Sequence, residues 1–167
     1  MVVTAQHLAS EAGLQILKEG GNAIDAAVAV GYALAVVDPC CGNIGGGGFM
    51  TLHLADGRNV FINFRERAPL KASRNMYLDG AGNVVPGLST RGYLAVGVPG
   101  TVLGLDTALK QYGTMTRKQV MEPAIALAEH GFVLTPGDVR ILTGSGGHGD
   151  LDALSGPSKL FAQQPNI

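Results

Sequence analysis

The sequence contains no tryptophan, and only 15% of its residues are charged. Those charges nearly cancel to a formal net charge of −1, and there is no run of lysine or arginine. Binding a nucleic-acid backbone takes a basic patch, so nucleic acid is not an expected partner. A long apolar run is also missing. The most apolar stretch, Ala26–Val37, falls far short of the roughly 20 residues that cross a bilayer. It reads as a buried helix, and no membrane span is expected. The opening Met1-Val2-Val3-Thr4-Ala5 shows neither a basic segment nor a long apolar one, so no signal peptide is visible. The only cysteines are Cys40 and Cys41. Neighbouring residues are poorly placed to bridge each other, and the spacing fits no metal motif. Two small, buried or half-buried side chains are therefore expected.

What is present suits a globular domain. Apolar residues make up 46% of the 167, enough for a core. The 25 glycines are largely clustered, which marks particular loops rather than general flexibility. Leu8, Ala12 and Ile16 recur every four residues and predict a helix over about Thr4–Glu19. Gly20-Gly21 suits a left-handed helix end. Asn22 then caps a second helix, about Ala23–Val37, with Asp25 in its first turn. That helix is apolar nearly all round, as a helix buried between other elements would be. Pro39 stops it.

Two strand patterns follow, Phe49–Leu54 and Val60–Phe64, with Asp56-Gly57 between them as a hairpin signal. The hairpin delivers Arg65 to a strand end. Helices are predicted over Thr101–Gln111 and, capped by Thr116, over Arg117–His130, with Pro123 inside the second. A short helix is possible over Gly137–Leu142, and Gly144–Asp150 reads as a flexible loop. Helices, hairpin and helices give an α+β or layered α/β class. A lone hairpin cannot balance this much apolar helix, so further strands are expected from outside the chain.

The run Gly45–Gly48 is no phosphate loop, since Phe49-Met50 follow where Lys-Ser/Thr would stand. It also follows a helix, where a dinucleotide site would follow a strand. Close approach of a ligand or another backbone explains it better. The histidines are His7, His53, His130 and His148, and no Gly-x-Ser-x-Gly elbow accompanies them. No His, Cys and Asp sit at ligand spacing on one element, so no metal is expected, and nothing calls for a cofactor. Arg65 stands out, because a guanidinium held at a strand end grips a carboxylate with two parallel hydrogen bonds. By spacing alone, a surface arginine paired with Glu66 or with solvent is the favoured reading.

Several segments resemble the γ-glutamyltransferase family of N-terminal-nucleophile hydrolases. Ile16–Ala29 is similar to the family's first helix pair, Gly42–Met50 to its glycine-rich segment, and Phe64–Pro69 to the segment carrying its substrate arginine. Gly97–Thr101 and Tyr112–Met115 match as well, so the likeness runs from about Thr4 to Val133. It implies a γ-glutamyltransferase or glutathione hydrolase with an αββα sandwich, of which this chain supplies part of the large subunit. The resemblance implies one partial domain over 1–167, recognisable over 1–142 with a poorly defined tail over 143–167.

The implied chemistry passes a γ-glutamyl group from glutathione-like donors to water or amino acids. The implied nucleophile is the N-terminal threonine of a small subunit cut from the same precursor. The family's arginine falls on Arg65 as the residue that binds the donor's α-carboxylate. No Thr-Thr-His segment occurs here, so no catalytic residue is expected in this chain, which alone should be inactive. The chain is expected to begin after a signal peptide and leader and to stop before the processing site. The region from Thr143 to Asp152 departs from the family pattern. A periplasmic or secreted location is implied by resemblance only. An acylase or poly-γ-glutamate-processing relative, or a non-catalytic truncated fragment, remain the alternatives.

Overall fold

The computed structural model describes residues 1–142. They fall into two compact units, one of residues 1–43 with 108–142, the other of Ile44–Thr107.

The first unit is helical. Helix α1 spans His7–Lys18, a shorter run than the periodicity predicted. The cap is Gln6, whose side-chain oxygen accepts from the Leu8 N–H at 2.7 Å. Thr4 lies before it and donates its hydroxyl to the Gln6 carbonyl. At the other end Gly20 takes φ +95°. Gly21 N–H then reaches the Ile16 carbonyl and Gly20 N–H the Leu17 carbonyl, the paired bonds of a left-handed glycine stop.

Helix α2 spans Ala23–Val37, as predicted. Asn22 caps it, accepting from Ile24 and Asp25, while Asp25 accepts from the Asn22 N–H at 2.8 Å. Helix α4, Arg117–His130, carries the same reciprocal cap through Thr116 and Gln119 and runs unbroken through Pro123. Helix α2 packs against both α1 and α4. Ile16, Val28, Val37 and Val120 have no exposed surface, and burying each contributes about 1.5–3 kcal/mol. The all-round apolar character of α2 thus reflects burial on more than one side.

Asp25 also has no exposed surface. It ties the start of α2 to the chain just before α4. Its carboxylate accepts from Thr114 N–H (2.9 Å), Thr114 hydroxyl (2.7 Å) and Met115 N–H (3.1 Å). Asn22 adds a bond from its side-chain amide to the Tyr112 carbonyl at 2.7 Å. Gly113 makes room: a Cβ there would stand 2.5 Å from an Asp25 carboxylate oxygen and 2.6 Å from the Leu109 carbonyl. Burial pushes the Asp25 pKa up, but the hydrogen bonds from Thr114, Asn22 and Met115 outweigh it and hold the carboxyl below its ordinary 3.8.

The cysteines correct the sequence reading. Cys40 and Cys41 are joined to each other in a disulfide, and both are exposed. After α2 the chain doubles back, with Cys41 and Gly42 both donating to the Asp38 carbonyl, at 3.3 and 2.9 Å. Gly42 lies directly against the Leu34 carbonyl. The inner side of the turn is therefore backbone, and the two side chains stand on the outer side. The same turn groups the Asp38 carboxylate with both sulfurs within 4.8 Å, a grouping that linear spacing did not reveal. Helix α5, Pro136–Leu142, closes the described part of this unit. The predicted loop Gly144–Asp150, with Ser145 and His148, lies outside the described residues.

The second unit holds the only sheet among the described residues, an antiparallel hairpin of β1 (Phe49–His53) and β2 (Asn59–Asn63). Its turn is the Asp56-Gly57 predicted, with Gly57 at φ +84° and Arg58 bonded to the Asp56 carboxylate. Both strands end one residue earlier than expected. The ladder continues past them through a single bond, Phe64 N–H to the Gly48 carbonyl. Helix α3 begins at Thr101 and runs to Tyr112.

Candidate substrate-binding site

Arg65 lies two residues beyond β2, and its backbone is fixed from several directions. Its N–H donates to the Asn63 side-chain oxygen at 3.0 Å, which turns the chain off the ladder. Arg67 and Val98 exchange both backbone bonds, at 3.2 and 2.8 Å, pairing this segment with the chain entering α3. Between these ties the neighbouring backbone is glycine. A Cβ on Gly47 would stand 2.6 Å from the Glu66 nitrogen and the Phe64 carbonyl. One on Gly48 would stand 2.9 Å from the Phe64 ring. Gly100 lies against the Phe64 carbonyl and Gly104 against its ring. The Gly46 carbonyl receives the N–H groups of Gly100 and Thr101, at 2.7 and 3.1 Å. The glycine run therefore serves backbone approach, as its composition suggested, and the backbone it admits is the one bearing Arg65.

This cradle is sensitive to one added methyl group. Gly100→Ala forces its Cβ into a carbonyl that cannot rotate away, at a cost of about 1–3 kcal/mol. The expected result is a lowered melting temperature, which thermal melts of parent and variant check.

The Arg65 side chain is two-thirds exposed, at 66%. Its Nε pairs with a Glu66 carboxylate oxygen at 3.0 Å. Its terminal nitrogens have no partner among the described residues, which leaves the forked edge open for a second, planar anion. The guanidinium carbon lies 6.0 Å from the Phe49 ring centre, at the outer limit of cation–π attraction. Phe49 stacks on Phe61, centroids 5.8 Å apart and planes 16° from parallel. Both rings are exposed, at 55% and 62%. Arg65 thus stands beside an open aromatic shelf, its charge partly balanced by Glu66. Sequence reasoning singled out the arginine and missed the shelf. The available signal was parity: Phe49 pairs with Asn63 and Phe61 with Thr51, which sets both rings on one face of the hairpin.

Of the histidines, His53 bonds the Asn59 side chain across the hairpin at 2.8 Å. His130 ends α4 and His7 begins α1. Among the described histidines only His53 belongs to the same unit as Arg65, and it lies at the opposite end of the hairpin.

Over residues 9–163 the sequence matches the Gamma-glutamyltranspeptidase family. The chain belongs to this family. It is 68% identical over 142 residues to the glutathione hydrolase proenzyme of Pseudomonas sp. (strain A14), a match covering 85% of this chain and 25% of the relative. It is 48% identical over 142 residues to the Acylase ACY 1 proenzyme of Pseudomonas sp. (strain V22), covering 81% and 25%. The crystal structure of Helicobacter pylori gamma-glutamyltranspeptidase superposes with a TM-score of 0.89 at 51% identity, over 99% of this chain and 47% of that one. The α+β arrangement is accordingly part of the N-terminal-nucleophile hydrolase fold of the gamma-glutamyltranspeptidases. The chain spans about a quarter of the length of the curated relatives it matches. Among the described residues no helix is long and apolar enough to cross a membrane.

Proposed function

We propose that this chain is the donor-binding part of a glutathione hydrolase, with Arg65 gripping the α-carboxylate of a γ-glutamyl donor. The observation that carries the reading is the 68% identity to a glutathione hydrolase proenzyme, against 48% to an acylase proenzyme. The open fork of Arg65 supports it, because a donor α-carboxylate is a planar anion of the right shape for two parallel bonds. In this reading the γ-amide carbonyl is attacked by an N-terminal threonine of the small subunit of the same precursor, whose own amine takes the proton. The amine product leaves, and water or an amino acid then releases the γ-glutamyl group. This chain contributes substrate position, not the nucleophile. The protein works outside the cytoplasm, in the periplasm or secreted, and its partners are the donor and the small subunit.

The donor is the point to test. Full-length protein given γ-glutamyl-p-nitroanilide and butyryl-p-nitroanilide in parallel is expected to favour the γ-glutamyl donor by at least an order of magnitude in kcat/KM, since only that donor offers the α-carboxylate for a charged bond worth about 1.5–3 kcal/mol. The second reading is an acylase, and the exposed Phe49–Phe61 shelf favours it, because stacked rings suit an apolar acyl group. Preference for the butyryl amide would decide for the acylase.

A further inference from the structure

We propose that Cys40–Cys41 is a redox-gated chelating site: reduced to the dithiol, the pair binds a thiophilic metal ion, with the Asp38 carboxylate as third donor. The proposal is independent of the hydrolase reading.

A disulfide usually stabilises by closing a loop in the unfolded chain, and the effect grows with loop length. A bridge between adjacent residues closes almost none, so Cys40–Cys41 cannot act as a staple. Nor does it fill a core, since both residues are exposed. Exposed disulfides are the ones that small thiols reach and reduce.

The turn that presents the pair is nonetheless firmly held. Asp38 N–H continues the α2 ladder to the Leu34 carbonyl at 3.0 Å. Cys41 and Gly42 return to the Asp38 carbonyl, and Gly42 sits on the Leu34 backbone with no room for a side chain. The Asn43 side-chain amide closes the turn onto the Cys41 carbonyl at 3.2 Å. A backbone that lets the two sulfurs bond to each other also lets them hold one atom between them. The Asp38 carboxylate lies within 4.8 Å of both. Two thiolates and a carboxylate are a donor set for cadmium, zinc and similar ions. Among the described residues no other group of three such donors comes together.

The chemistry balances with a low-molecular-weight thiol as reductant. Its thiolate attacks one sulfur, the S–S bond breaks, and a mixed disulfide forms. A second thiolate attacks the small thiol's sulfur in that mixed disulfide and displaces the protein cysteine, the two small thiols leave as their own disulfide, and Cys40 and Cys41 gain two electrons and two protons. A divalent ion then binds the thiols and releases those protons.

Cadmium(II) is the probe, read by the ultraviolet charge-transfer absorption of cadmium thiolates. It is titrated into full-length protein as purified in air and after reduction with a phosphine that is then removed. The absorption is expected only after reduction, and the reduced Cys40→Ser variant is expected to lose it. Asp38→Asn is expected to weaken apparent cadmium affinity about tenfold, the scale on which supporting carboxylates tune metal sites. Cys41→Ser repeats the test should the first variant fold poorly, and the oxidised-against-reduced comparison needs no variant. The proposal is overturned if reduced parent and cysteine variants titrate alike, or if the air-purified protein already carries both thiols free.

Discussion

Replacing Arg65 with alanine is expected to lower kcat/KM for γ-glutamyl-p-nitroanilide by roughly 10²–10³-fold, the cost of removing one partner of a charge-assisted pair. The loss should fall mainly on KM, because a carboxylate remote from the scissile bond is held equally in the ground and transition states. Arg65→Lys should recover only part of it, since an ammonium is a point charge and lacks the fork. The protein itself should hardly notice. The contacts removed are an exposed pair with Glu66 at 3.0 Å and a distant ring, and exposed pairs contribute about 0–1 kcal/mol. Unchanged melting with a large change in KM would therefore separate substrate binding from structure. The control is 4-aminobutyryl-p-nitroanilide, the same donor without its α-carboxylate, on which parent and variant should differ little. An equal loss on both donors would show that Arg65 does not read that group.

Asp25→Ala is expected to destabilise the fold by about 3–5 kcal/mol, because several donors lose one shared charged acceptor. The N–H groups of Asn22, Thr114 and Met115 would keep their positions and lose their acceptor, each at about 1–3 kcal/mol when left buried and unpaired. Urea denaturation should show a lower midpoint at similar slope. The pH dependence has a definite sign. Folding lowers the Asp25 pKa below 3.8, so the folded chain binds this proton less readily than the unfolded one. The contribution is complete above that value and is lost as pH falls through the lower, folded-state pKa. Asp25→Asn cannot titrate, and the stability gap between parent and variant should narrow as the solution is acidified below 3.8. A gap that stays constant down the acid limb would exclude the buried carboxylate as its source.

Asp25 also shows where sequence reading stops. Its place in the first turn of α2, three residues after Asn22, was legible, because a cap involves only near neighbours. Its bonds to Thr114 and Met115 reach across about 90 residues and leave no periodic trace. Arg65 behaves likewise. Alternating apolar residues and Asp56-Gly57 placed it at the end of a hairpin. The spacing favoured a surface pair over a carboxylate clamp, and the resemblance to a known family reversed that choice. The structure shows the pair with Glu66, and among the described residues the terminal nitrogens of Arg65 have no partner. Cys40 and Cys41 were misread because adjacency was judged without the turn that Pro39 and Gly42 impose.

By itself the sequence determined the helices α1, α2 and α4 with their stops, the caps of α2 and α4, the hairpin, and the family. Each depends on residues within a few positions of one another or on an ordered series of motifs. Only the tertiary structure decided which backbone the glycines admit, what the Asp25 carboxylate receives, and that Asp38, Cys40 and Cys41 share one face of a turn. The first two outcomes depend on which distant segments meet, and the third on how the chain turns after α2. Close contact between distant segments is set by burial and by the lack of a Cβ at particular points, which composition and period do not specify.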